Sequence, residues 1–178
     1  ELEFRTMNQK NDISNGITTG LKKMDAAIDG WKGGELTVIG ARPGMGKTAF
    51  LIKEAKEAAK AGKSVMIFEL EMTEISLANR MIIGESGVDS EAFKRGRLSD
   101  VEWIDVEHAN DRLNKLPIYI DTKPGVTHSY IKSISRKYHK RGKCDIIFII
   151  QFYYKDNQGY KCFHIDFTTV FVLLYNCD

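Results

Sequence analysis

The stretch Gly40–Phe50, GARPGMGKTAF, gathers glycines, a proline, a lysine and a threonine at close spacing. Residue types in that order suit one chemistry, the holding of a polyphosphate. Gly44 and Gly46 let the backbone bend so that successive N–H groups point inward at phosphate oxygens. A helix opening near Lys47 adds its positive N-terminal end to the same point. The Lys47 ammonium can reach the β and γ phosphates, and the Thr48 hydroxyl can ligate Mg²⁺. The expected ATP-binding residues are therefore Ala41, Arg42, Pro43, Gly44, Met45, Gly46, Lys47, Thr48 and Ala49, with Ala41 standing where such loops most often carry glycine.

Binding is not hydrolysis. Phosphoryl transfer also needs a group that positions the attacking water and a carboxylate near the metal. Phe68-Glu69-Leu70-Glu71-Met72 ends an apolar run, and strand ends at the carboxyl edge of a parallel sheet face the ligand crevice. Alternation puts Glu69 and Glu71 on one face, so spacing leaves the choice between them open.

The elements that must position these groups are legible. Residues 35–40 (ELTVIG) read as a buried strand, and residues 48–61 as a helix stopped by Gly62. Residues 64–70 (SVMIFEL) are a second strand. Thr73 opens a helix that Gly84 is expected to close. Ser99 and Glu102 form a capping box at the head of a helix running to about Lys115, which Pro117 ends. A strand at 118–120, a helix at 129–141 and the apolar run DIIFII at 145–150 complete the pattern. Strands alternating with helices predict an α/β fold, a parallel sheet with helices on both faces.

Composition sets bounds. With 178 residues the chain suits one domain, and 26 basic against 24 acidic residues leave any polyanion footprint to be local. Three cysteines without close pairing read as reduced thiols, and no run reaches the roughly 20 apolar residues that a membrane span requires, so a cytoplasmic location is expected. Cys162-Phe-His164 lacks a second ligand pair at zinc spacing. Residues 1–6 read as a linker encoded by cloning sites, 7–150 as the folded core, and 151–178 as an atypical tail, either frame-shifted or foreign, or else a genuine edge strand and terminal arm. That tail holds eight of the 18 aromatics and no clear period. The helical region His128–Lys143 carries Lys132, Arg136, Lys137, Lys140, Arg141 and Lys143 with no acidic residue, which suits either a solvated face or contact with phosphates or a neighbouring subunit.

Across about Ile17–Ile149 the chain resembles the ATPase domain of the DnaB-type replicative helicases, members of the RecA-like P-loop NTPase group. ITTGLKKMDAAIDGWKGGELTVIGARPGMGKTAF is similar to that family's opening segment, first strand and phosphate loop; FELEM and LPIYIDTKPGVTHSYIKSISRKY are similar to its next motifs. The resemblance implies that Glu71 is the catalytic glutamate, with Lys47 beside it. It also implies ATP and Mg²⁺ as ligands, a ring-shaped homo-hexamer, translocation on single-stranded DNA, and primase as a partner. A RecA-type recombinase or circadian-type ATPase shares the core, but FELEM and IDTKPG fit the helicase better. A non-catalytic nucleotide-binding fragment is the reading from another class.

The pattern fails at one place. The family's next strand ends in an aspartate that helps hold Mg²⁺, and Ile150 stands there. A branched hydrocarbon cannot ligate a hard cation. Pairing Ile165-Asp166-Phe167 instead restores the spelling only with an insertion of about 16 residues. The family's later strands, DNA-contacting loops and arginine finger find no match in 151–178, so the fold is expected to be incomplete at the C-terminus and catalysis impaired.

Overall fold

The structure, a computed structural model, describes residues 16–42, 44–70 and 72–150 with their side chains, and the backbone of 153–156, 159–162 and 168–174. The elements are α1 (Lys22–Ile28), β1 (Leu36–Ala41), α2 (Lys47–Lys60), β2 (Val65–Glu69), α3 (Glu74–Ser86), α4 (Ser90–Lys94), α5 (Asp100–Asn114), β3 (Ile118–Asp121), α6 (His128–His139), β4 (Ile146–Ile150), β5 (Tyr153–Asp156), β6 (Gly159–Cys162) and β7 (Thr168–Leu174). The main sheet has the order β1-β7-β4-β2-β3.

β2 runs parallel to both β3 and β4, and β7 is antiparallel to both β1 and β4. The four strands expected from the sequence thus share one direction. The fifth, TTVFVLL, comes from the tail without a clear period, and it slots between β1 and β4 and not at the edge that the alternative reading of the tail expects. Its β-branched and aromatic residues suit a pleated surface, and an antiparallel strand can pair on both of its sides. β5 and β6 form a separate hairpin.

Alternation along β2 and β4 builds two cores. Val65, Ile67, Ile146, Phe148 and Ile150 face α2 with Leu51, Ala55, Ala58 and Trp31; Met66, Phe68, Ile147 and Ile149 face α6 with Ile131. Helices therefore cover both faces at the sheet's centre. β1 departs from the expected buried strand. Leu36 and Val38 are 55% and 45% exposed, while Ile39 on the other face joins the α2 core. An apolar run signals burial but not how many sides are covered, and among the described residues nothing covers the second side of β1.

Helix ends follow local chemistry. Thr73, Asp89, Ser99 and Thr127 each cap a helix by side chain, and the Ser99–Glu102 capping box is complete. α3 runs past Gly84 and closes at Gly87, whose φ of 77° is the left-handed conformation that terminates a helix. Gly84 keeps helical geometry because three further residues find their i−4 partners before the chain turns. Glu85, near the end of α3, draws in Lys56 at 2.8 Å, Lys60 at 3.8 Å and Arg112 at 3.4 Å, tying α2, α3 and α5 together. Its hydrogen bond from Lys56 holds its carboxyl below the usual range despite partial burial.

The opening segment is held by one carboxylate. Asp25 accepts from Thr18 Oγ1 at 2.6 Å and from Thr19 N at 2.8 Å, and Ile17 pairs with Trp31. Burial acts against its charge, but the Thr18 and Thr19 hydrogen bonds win and hold Asp25 below the ordinary carboxylate range. Trp31 is a core residue at 2% exposure. No helix among the described residues is long and apolar enough to cross a membrane.

Candidate nucleotide-binding site

The loop lies where the sequence requires it. β1 ends at Ala41, the chain turns at Gly44 and Met45, and α2 starts at Lys47. The Met45 N–H donates to the Arg42 carbonyl at 3.2 Å, forming the turn. Gly44 and Gly46 have φ of 78° and 83°, and a Cβ built on either meets nothing within 4 Å. Backbone conformation, not crowding, is what demands glycine here.

α2 differs from the other long helices. α3, α5 and α6 each receive a side-chain cap, whereas Gly46 gives α2 none. The first N–H groups of a helix have no partner within it, so an N-terminus without a side-chain cap suits an anion. Lys47 and Thr48 are half-buried in that first turn, while Arg42, Met45 and Ala49 are exposed around it. The residues present therefore fit a polyphosphate. Pro43 lies outside the described residues.

Replacing Gly46 by alanine tests the geometry. A left-handed conformation costs an L-residue roughly 1–2 kcal/mol. The variant is expected to melt a few degrees lower, and Gly62→Ala, also at positive φ but far from the loop, supplies the comparison. A melting point unchanged within error would show that the loop does not need its left-handed turn.

The parallel strands bring the other candidates to the same edge. β1, β4, β2 and β3 end at Ala41, Ile150, Glu69 and Asp121, with Ile150 opposite Glu69 and Phe68 opposite Asp121. At about 4.8 Å per strand, Ala41 lies roughly 10 Å from the end of β4 and one strand more from Glu69.

Glu69 is fully buried, and its Oε1 accepts from the Met72 backbone N–H at 3.1 Å. It ties down the turn that follows β2, which gives this carboxylate a structural task. Glu71 lies outside the described residues. Asp121 is committed as well, accepting from Lys123 N at 3.0 Å and from Tyr130 Oη at 2.9 Å. Ile150, in the position where the resemblance expects an acid, is fully buried in the α2-side core. The described residues contain no cluster of three or more His, Cys, Asp or Glu able to hold a metal ion.

Sequence reasoning missed one buried ionisable group. Glu54, about two turns along α2 from the loop, has 0% exposure, and neither carboxyl oxygen has a hydrogen-bond partner among the described residues. The Trp31 indole N–H is also buried with no hydrogen-bond partner among the described residues. Burial, reinforced by the nearby charge of Asp25, pushes Glu54 up to about 7. Its signal in the sequence was weak: KEAKEAAK reads as a solvated helix face as easily as a half-buried one.

Comparison with known proteins agrees with this geometry. Residues 16–156 match the DnaB-like helicase C terminal domain family. The chain is 34% identical over 143 residues to the replicative DNA helicase DnaC of Bacillus subtilis (strain 168), covering 80% of this chain and 31% of that protein. It is 35% identical over 135 residues to the replicative DNA helicase DnaB of Buchnera aphidicola subsp. Schizaphis graminum, covering 75% and 29%. The chain thus spans about a third of the length of these relatives. A solved structure of a DnaB-like replicative helicase and its interactions with primase superposes with a TM-score of 0.72 at 25% identity, over 79% of this chain and 34% of that one. The ATPase domain of G40P shares the fold, with a TM-score of 0.67 at 23% identity, over 79% of this chain and 50% of that one. A strand, a left-handed glycine loop and an uncapped helix at the carboxyl edge of an α/β sheet, inside a family match over most of the chain, place this protein in the DnaB-like helicase C-terminal domain family.

Proposed function

We propose that this chain is the nucleotide-binding core of a replicative DNA helicase, taking ATP with Mg²⁺. The observation that carries the reading is the uncapped N-terminus of α2 behind two left-handed glycines, at the end of a sheet strand. Backbone N–H groups of the loop and first turn would hold the phosphates. Lys47 would neutralise charge at the β and γ positions, and Thr48 would hold the metal. Bound Mg²⁺ supplies charge stabilisation to phosphoryl transfer. Glu71 is proposed as the residue that orients water, with Glu69 kept to its structural role.

A homo-hexameric ring, single-stranded DNA, primase as partner and a cytoplasmic location belong to the same proposal. They are supported by family membership and by the relatives' names. Hydrolysis by this chain is proposed to be impaired, because Ile150 offers a buried hydrocarbon where a metal-side carboxylate is needed.

The experiment separates binding from turnover. Calorimetry of the purified chain is expected to give heat with ATP–Mg²⁺, while phosphate release stays at background with and without single-stranded DNA. Absence of any heat would overturn the nucleotide reading. Robust hydrolysis that Lys47→Ala abolishes would overturn the impairment.

A further inference from the structure

We infer that residues 16–31 form a proton-controlled strap over α2, docked while the buried Glu54 carboxyl is neutral and released when it ionises. The inference stands on how this segment packs and does not depend on the nucleotide reading.

The segment is closed on itself before it meets the rest of the chain. Ile17 and Trp31 exchange backbone hydrogen bonds at 2.8 and 2.7 Å, and Asp25 gathers the Thr18 hydroxyl and the Thr19 N–H. It then lies against one stretch of α2. Gly20 comes so close that a Cβ built there would run into Cβ and Cγ of Glu57. Trp31 is part of the buried cluster that holds Ala55 and Ala58, and Ile17 and Met24 pack against the same cluster. Glu54 belongs to this stretch, with Asp25 near enough to act on its charge.

Other buried charged groups have partners. Lys56 donates to Glu85 at 2.8 Å, and Glu69 accepts from the Met72 N–H. Glu54 has a partner for neither oxygen among the described residues. A neutral carboxyl tolerates such a place far better than an unpaired carboxylate does. The charged groups acting on Glu54 are Asp25 from the strap and Lys53 and Glu57 from its own helix; the two acids oppose its ionisation and Lys53 favours it. β2, β4 and α3 turn apolar side chains to the cluster, among them Ile67, Phe148 and Leu77. Because Thr18 and Thr19 keep Asp25 charged, ionising Glu54 sets two carboxylates against each other across the contact between strap and helix.

The strap is the side that gives way. α1 has seven residues, no side-chain cap and no buried residue, and a helix that short does not persist once undocked. β2 and β4 are buried along their whole length and paired on both sides. Lifting the strap admits water to Glu54 and parts it from Asp25, while exposing Trp31. The sign follows from the raised value. Docked, Glu54 holds its proton up to about 7; released, it gives the proton up near 4.5, so docking weakens between these values and levels off above them. Asp25, held low, acts in the opposite sense and only toward more acid solution. Glu54 lies on the helix that Lys47 and Thr48 begin, so the strap and the glycine loop share α2.

Hydrogen exchange of the full chain, read by mass spectrometry at pH 5, 6, 7 and 8 and corrected for intrinsic rates, tests this. In wild type, protection of peptides within 16–31 is expected to fall at least about tenfold from pH 5 to 8. Peptides covering β2 and β4 should keep theirs. Glu54→Gln should remove the fall. Glu54→Met fills the same space with no ionisable group, should do likewise, and serves if the glutamine variant does not fold. An equal fall in wild type and variants overturns the inference, as does protection within 16–31 that stays constant with pH in wild type. Loss of protection in β2 and β4 in step with 16–31 also overturns it, since the chain would then open as a whole and not at the strap.

Discussion

Lys47→Ala is expected to lower the affinity for ATP–Mg²⁺ by roughly tenfold to a hundredfold, with the fold left in place. The ammonium is the one full positive charge in the first turn of α2, and the remaining donors are backbone N–H groups that the substitution does not move. Hydrogen bonds to charged groups contribute about 1.5–3 kcal/mol, and each 1.4 kcal/mol is a factor of ten in affinity. The loss should therefore appear in affinity far more than in the melting temperature. Titration calorimetry on wild type and variant measures it directly. A change smaller than twofold would mean that the lysine does not meet the phosphates, and the loop would then be a turn that happens to contain a cation. Gly46→Ala approaches the same site through the backbone, so the two variants report on charge and on shape separately.

The second large effect concerns pH. Glu54 has no hydrogen-bond partner for either oxygen among the described residues, and burial raises it from 4.5 to about 7. The folded chain then keeps a proton up to about pH 7 that the unfolded chain releases near 4.5. Between these values the folded state binds more protons, so stability declines as pH rises and levels off above about 7. A displacement of this size corresponds to roughly 3 kcal/mol over the window. Asp25 and Glu85 act in the other sense: both are held below their ordinary values, so their contributions are present above those values and fade as the solution becomes more acid. The range from about 5 to 7 therefore belongs to Glu54. Glu54→Gln removes the ionisation while keeping the shape, and is expected to abolish the decline and to exceed wild type in stability at pH 8. Urea midpoints at pH 5, 6, 7 and 8 for both proteins decide it. Parallel curves for wild type and variant would show that Glu54 reaches solvent or a partner when charged.

Glu54 also shows how sequence and structure divide. A glutamate between lysines and alanines on a helix carries no local mark of burial, because burial depends on how α1 and Trp31 lie across α2. α1 itself escaped the sequence reading for a related reason. It has seven residues, Leu21 at its N-cap and no side-chain cap, and it is held in place through Asp25 and the two threonines. The Ser99–Glu102 box, by contrast, spans only three positions, and it was readable at once and is present as expected. The end of α3 falls between these cases. The sequence reading stops the helix at Gly84, and only the completed hydrogen-bond ladder carries it to Gly87.

The sequence by itself determined the glycine loop after β1, the helix it opens, the four parallel strands with the longer helices between them, and the family. All of these rest on contacts between residues close in the chain, where spacing fixes geometry. Tertiary structure decided the rest. It buried Glu69 against Met72, left one side of β1 open, and set β7 between β1 and β4. It also turned the cationic side of α6 outward by docking Ile131 on the sheet. Each of those outcomes joins groups far apart along the chain, and their pairing depends on register and packing that no local pattern of residue types encodes.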